Sequence, residues 1–167
     1  GETVSDHSGF SVSLSSDGLT VAIGAYNTDG LNGISSSSGH VRIYGYSDSS
    51  WTQLGEDIDG EATGDQSGWS VSLSSDGLTV AIGAPYNDGL NANSSNSGHV
   101  RIFGYSGNSW TQLGEDIDGE AGGDYSGISV SLSNDGSTVA IGARLNDGNG
   151  SNSGHVRIYQ WNAATEL

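Results

Sequence analysis

Four carboxylates in the pattern Asp57-x-Asp59-Gly60-Glu61-x-x-x-Asp65 recur one repeat later as Asp116-x-Asp118-Gly119-Glu120-x-x-x-Asp124. Hard oxygen donors closely spaced around a glycine bend are the chemistry of a calcium loop, because glycine lets the backbone present a carbonyl beside the carboxylates. The full Asp-x-Asp-x-Asp-Gly opening of such a loop is missing, so the competing reading is a set of hydrated acids on an exposed segment. Calcium is the cofactor expected for these eight residues, at the weak end of the range that extracellular modules use.

A second candidate set lies in Asn87-Asp88-Gly89 and Asn146-Asp147-Gly148, with Asn27-Thr28-Asp29-Gly30 as a variant. Asp29, Asn87, Asp88, Asn146 and Asp147 offer amides and carboxylates to a cation or to sugar hydroxyls; as plain turns the same segments need no ligand. Two glycosylation sequons, Asn93-Ser-Ser and Asn149-Gly-Ser, accompany these segments. His40, His99 and His155 each precede an arginine by two positions, Arg42, Arg101 and Arg157, which reads as a hydrogen-bonded polar strip. Trp51 and Trp110 read as covers of a sheet edge, with sugar stacking as the competing role. No Gly-x-Ser-x-Gly elbow and no unique Ser-His-Asp set breaks the repetition, so no catalytic residue is expected and the chain reads as non-enzymatic.

The elements that must position these groups repeat with them. Trp51 to Ala62 recurs letter for letter as Trp110 to Ala121, dividing the chain into repeats 1–59, 60–118 and 119–167, the last ending where its fourth strand is due. Each repeat is too small to hold a core alone, so neighbours must stack. Four short strands fit one repeat. The first is Ser-Val-Ser-Leu-Ser at 11–15, 70–74 and 129–133, followed by an Asp-Gly turn. The second is Val-Ala-Ile-Gly-Ala at 21–25, 80–84 and 139–143, bulky on one face and small on the other. Bulky faces laid on small faces would bury both sides of these strands. The third begins at Gly39, Gly98 and Gly154, and the fourth at Trp51 and Trp110. In an up-and-down order, the long loops (second to third strand, fourth to next first) share one edge, and most of the 20 acidic residues fall on it.

Acids outnumber arginines 20 to 4, for a formal net charge of −16, which disfavours nucleic acid as a partner. No apolar run approaches the roughly 20 residues that span a bilayer, so no membrane insertion is expected. Cysteine is absent, which excludes disulfides and thiolate metal sites.

Ser67-Gly-Trp-Ser-Val-Ser-Leu-Ser-Ser-Asp-Gly-Leu-Thr-Val-Ala-Ile-Gly-Ala-Pro85, followed by Ser97-Gly-His-Val-Arg-Ile-Phe103, resembles the FG-GAP repeat, the blade unit of the integrin α-subunit β-propeller. The resemblance runs through all three copies in the order of parts. It departs in detail: Tyr26 and Arg144 replace Pro85, and the expected Phe-Gly reads Gly9-Phe10, Gly68-Trp69 and Gly127-Ile128. Calcium-binding members carry an Asp-rich loop between the first two strands, where this chain has one carboxylate, so that site is not carried over to Asp17, Asp76 or Asp135.

The expected fold is all-β: three four-stranded antiparallel blades of a β-propeller-like array, with a closed three-fold β-trefoil or β-prism as the alternative. The resemblance implies an extracellular or cell-surface adhesion module that binds a protein or carbohydrate ligand through its acidic loop face. Two other functions fit the sequence: a building block of a filament or sheath, and a lectin. A homo-oligomer or a longer array is the expected assembly.

Overall fold

The computed structural model describes residues 1, 4–29, 36–89 and 95–161. Every regular element among them is a strand, and no helix is long and apolar enough to cross a membrane. The first blade holds β1 (Ser11–Leu14), β2 (Thr20–Ala25), β3 (His40–Ser47), β4 (Ser50–Gln53) and β5 (Ile58–Asp59). The second holds β6 (Ser70–Leu73), β7 (Thr79–Ala84), β8 (His99–Ser106), β9 (Ser109–Gln112) and β10 (Ile117–Asp118). The third holds β11 (Ser126–Leu132), β12 (Thr138–Ala143) and β13 (His155–Gln160). In each blade the first three strands pair antiparallel in chain order, every later strand pairs antiparallel with the third, and the sheet does not close. The end of the third repeat, where a fourth strand is expected to begin, lies outside the described residues, as does Asn93 of the first sequon.

The first two strands are joined by a turn that one aspartate holds shut. Asp17 accepts hydrogen bonds from Ser15 Oγ at 2.6 Å and from the Leu19 amide at 2.9 Å. Gly18 takes the left-handed φ of 72° that closes the turn. Asp76 and Asp135 repeat the device with Ser74 and Ser133. These aspartates are turn staples, which accounts for the same turn shape in all three blades.

The fourth strand differs from expectation. It is broken in two, and both halves pair with the third strand: Gln53 lies opposite Tyr44, then Ile58 lies opposite Val41. Four residues, 54–57, therefore face two, and this wide bulge turns at Gly55, where φ is 71°. What read as the start of a long loop is still sheet as far as Asp59.

Blade stacking follows the bulky-on-small rule. Ala22, Val41 and Ile43 of the first blade enclose a core with Leu73, Val80, Ile82 and Phe103 of the second. The opposite face of the second blade, with Ala81, Val100 and Ile102, packs on Leu132, Val139 and Ile141 of the third. The middle sheet is thus buried on both faces, whereas a trefoil or prism would give each sheet one core face; the closed three-fold alternative is set aside. Small residues let the backbones touch: a Cβ on Gly24 would lie 2.1 Å from the Gly68 carbonyl oxygen, and one on Gly83 would lie 2.1 Å from that of Gly127. Ser11 Oγ and Ser70 Oγ donate to those same two carbonyls at 2.7 Å. Ser13 Oγ and Ser72 Oγ accept from the Leu73 and Leu132 amides at 2.9 Å.

Candidate functional site

Strand alternation puts His40, Arg42 and Tyr44 on one face of β3 and Val41 and Ile43 on the other, and β8 and β13 repeat the arrangement. The bulge carries Asp57 back over this strip. Its carboxylate takes a bidentate pair from Arg42, Nε at 2.8 Å and Nη2 at 2.6 Å, and a third bond from Gln53 at 2.7 Å. The Arg42 guanidinium holds the Asp57 carboxyl below its usual pKa.

The equivalent arginines of the next two blades do something else. Arg101 Nη2 donates to the Asp59 carbonyl of the preceding blade at 2.7 Å, and its Nη1 lies 3.5 Å from Glu61. Arg157 donates to the Asp118 carbonyl and pairs with Glu120 at 3.4 Å. These two arginines join blades, whereas Arg42 ties its own. His99 is buried beside this network, its Nδ1 lying 3.8 Å from Asp116 and 3.9 Å from Glu61. Burial first, then the neighbouring Arg101 charge, lowers its pKa to about 4 against the pull of Asp116.

The eight candidate metal residues therefore do not gather as the linear pattern suggests. Donor atoms of Asp57 and Asp59 come within 4.8 Å of one another and of His40, and those of Glu61 and Asp116 do so with His99. Each motif is split between two blades. Glu120 lies 3.6 Å from His155, and burial raises the Asp59, Glu61 and Asp118 pKa values. Asp65 and Asp124 are buried elsewhere, in loop ties. Asp65 accepts from the Ala62 amide and from Asn87 Nδ2, each at 3.0 Å; Asp124 accepts from Ala121 at 3.2 Å and from Asn146 at 2.8 Å.

Asn87 and Asn146, expected on the ligand face, thus lock the two long loops of their blade together. Asp29, Asp88 and Asp147 stay exposed at the loop surface, each clasping its own loop by one backbone bond, from Ser37, Asn96 and Asn152.

Between the first bulge and the second blade opens a cleft of about 640 Å³, walled by Glu56, Asp57, Asp59, Arg101, Phe103 and Trp110. Trp110 crosses it to donate to the Leu54 carbonyl at 2.8 Å and packs on the first core. Trp51 is half-exposed and meets Tyr46 in a tilted contact at 5.2 Å between ring centroids.

The structure adds a group that sequence reasoning missed. Where first strands begin and second strands end, aromatic rings form a ladder across all three blades. Tyr26 touches His7 at 5.0 Å and Phe10 at 4.6 Å, and Trp69 lies 4.9 Å from both Phe10 and Tyr26. Tyr86 follows at 5.6 Å from Trp69, then Tyr125 at 5.2 Å from Tyr86, with the exposed Arg144 guanidinium 5.6 Å from the Tyr125 ring. The ladder runs along the long-loop edge, His7 and Phe10 exposed and the other rings partly so. The only sequence trace is the aromatic after Gly9 and Gly68.

Comparison with known proteins supplies a family and a fold. No curated protein sequence matches the chain. Among solved structures, one from Bacteroides uniformis described as a 6-phosphogluconolactonase superposes with a TM-score of 0.59 at 14% identity, covering 94% of this chain and 38% of its own. The periplasmic gluconolactonase of Pseudomonas aeruginosa gives 0.57 at 17% identity, covering 90% of this chain and 38% of its own. The chain thus spans well under half the length of either. Both neighbours carry the names of enzymes, which corrects the expectation of a non-enzymatic chain: absence of a triad that breaks repeat symmetry does not exclude catalysis on this architecture. At such identities the likeness is one of fold, and it assigns no reaction here. The FG-GAP repeat matches residues 58–103 and 116–159. With more than half of its length so matched, this chain belongs to the FG-GAP repeat family.

Proposed function

We propose that the chain is a recognition module of a β-propeller and that its long-loop face holds an extended uncharged or cationic glycan. The observation that supports this reading most is the aromatic ladder crossing three blades at the root of the long loops. Partly exposed rings offer flat apolar faces to the C–H faces of sugars, and their polar tips remain wet. Asp29, Asp88 and Asp147, exposed on the same edge, accept hydrogen bonds from hydroxyl or ammonium groups. A net charge of −16 selects against anionic polymers. The setting proposed is an extracellular or cell surface, where such a module serves adhesion.

Calcium has a weaker place in this reading. It takes six to eight oxygens, whereas the set at His99 combines an imidazole with two carboxylates beside the Arg101 guanidinium. The ladder alone is given the ligand.

Calorimetric titration tests the proposal with three oligosaccharides of equal length: neutral, amino-sugar and sulfated. The neutral and amino-sugar oligomers bind, the sulfated one does not, and a chelator changes neither affinity. Trp69→Ala weakens binding by about 10- to 100-fold, the usual cost of losing an aromatic anchor. Wild-type affinity in Trp69→Ala, or preference for the sulfated oligomer, would refute the assignment.

A further inference from the structure

We propose that the two uncovered blade faces bind each other, so that the third blade of one copy of this chain docks on the first blade of a second copy. The chain already builds this interface twice. Leu73 of β6 and Leu132 of β11 are buried to 7% and 9% exposure by the preceding blade, whereas the equivalent Leu14 of β1 is 61% exposed, with Val12 beside it at 63%. On the opposite face Val41, Ile43, Val100 and Ile102 are at most 2% exposed, whereas the equivalents on β13, Val156 and Ile158, stand at 67% and 70%. Isolated exposed hydrophobics are ordinary on a protein surface; a contiguous apolar sheet face is not.

The polar contacts match as well. Ser13 and Ser72 each accept an amide of the next blade, and their equivalent Ser131 is exposed, positioned to accept the Leu14 amide of a second copy. The turn backbones continue the series: Ser16 donates to the Ser75 carbonyl at 2.9 Å and Ser75 to that of Asn134 at 2.8 Å, so Asn134 donates next to Ser16 of the second copy. Gly24 and Gly83 admit the carbonyls of Gly68 and Gly127, whereas the three atoms nearest a Cβ on Gly142 all belong to Ser129 of its own blade, which leaves space for the Gly9 carbonyl of a second copy. A second copy is the occupant because the two faces are the halves of one established interface. The contact is heterologous, giving a ring if the rotation closes and a filament if it does not.

The third blade's face is uncharged, and on the first blade's face Arg42 is already neutralised by Asp57, so the net charge of −16 is the main opposing force and salt strengthens the association. Sedimentation of the 167-residue chain at rising concentration and moderate salt is the test, with Leu14→Asp and Ile158→Asp as variants. Both side chains are exposed in the single chain, so each variant folds, as its circular dichroism spectrum checks. Wild type grows beyond one chain. Each variant alone associates at least about 100-fold more weakly, as expected for burying an unpaired carboxylate in an interface. Mixed together, the variants form a one-to-one pair, because each retains the face that the other lacks. A wild-type mass fixed at one chain, or variants that associate like wild type, would overturn the proposal.

Discussion

His99 is a buried imidazole beside a guanidinium, and its protonation is a stability term with a defined sign. Its folded pKa of about 4 lies below the 6.5 of a free imidazole, so the folded state prefers the neutral form. That contribution is intact above pH 6.5 and is lost as the pH falls towards 4. Asp59, Glu61, Asp65 and Asp118 act in the opposite direction, since burial raises their pKa values and acidification favours their folded form. Comparison with His99→Gln separates the two, because the variant keeps the carboxylates. Between pH 7 and 4 the wild-type melting temperature falls further than that of the variant; parallel curves would show that His99 is not held neutral. At this scale the sequence was a partial guide. It placed the three histidines and arginines on one strip, because strand alternation is regular. It did not foresee that Arg42 ties its own blade while Arg101 reaches the preceding one, because Asp57 lies on the bulge and Asp59 on the short strand after it, and the path of both depends on the sheet pairing.

At the scale of elements, blade packing rests on glycines that admit a neighbour's carbonyl. Gly83→Ala places a Cβ 2.1 Å from the Gly127 oxygen, so backbone must move. The expected cost is about 1–3 kcal/mol, the range for overpacking, read as a lowered denaturation midpoint. Gly142→Ala, at the same position on the outward blade face, meets the flexible Ser129 hydroxyl at 2.3 Å and no backbone within 3.4 Å, so it costs clearly less. Equal losses for the two would mean that the glycines serve strand conformation and not blade contact. Strands one to three and their Asp-Gly turns were legible because alternation and turn chemistry are local. The broken fourth strand was not, since Gly55-Glu56-Asp57 carries no alternation and the break is fixed by its register against β3.

For the whole molecule, three stacked blades turn a local repeat into a continuous surface, and the function assigned here belongs to that surface. The ladder was hidden in the sequence because its rings do not occupy one repeat position. Tyr26 aligns with Pro85, Tyr86 with Asn27, and Tyr125 with His7 and Gln66; a gap in one blade is filled by a ring from another register. The acidic residues were conspicuous, yet many of those singled out spend their charge on arginines, amides and loop ties. The most direct test of the account is a nuclear magnetic resonance titration of the isotope-labelled chain with the neutral oligosaccharide. The account predicts shifts concentrated at Phe10, Tyr26, Trp69, Tyr86 and Tyr125, with the outer cleft at Asp57 and Trp110 unmoved. Shifts confined to the cleft, or none at ligand excess, would contradict it.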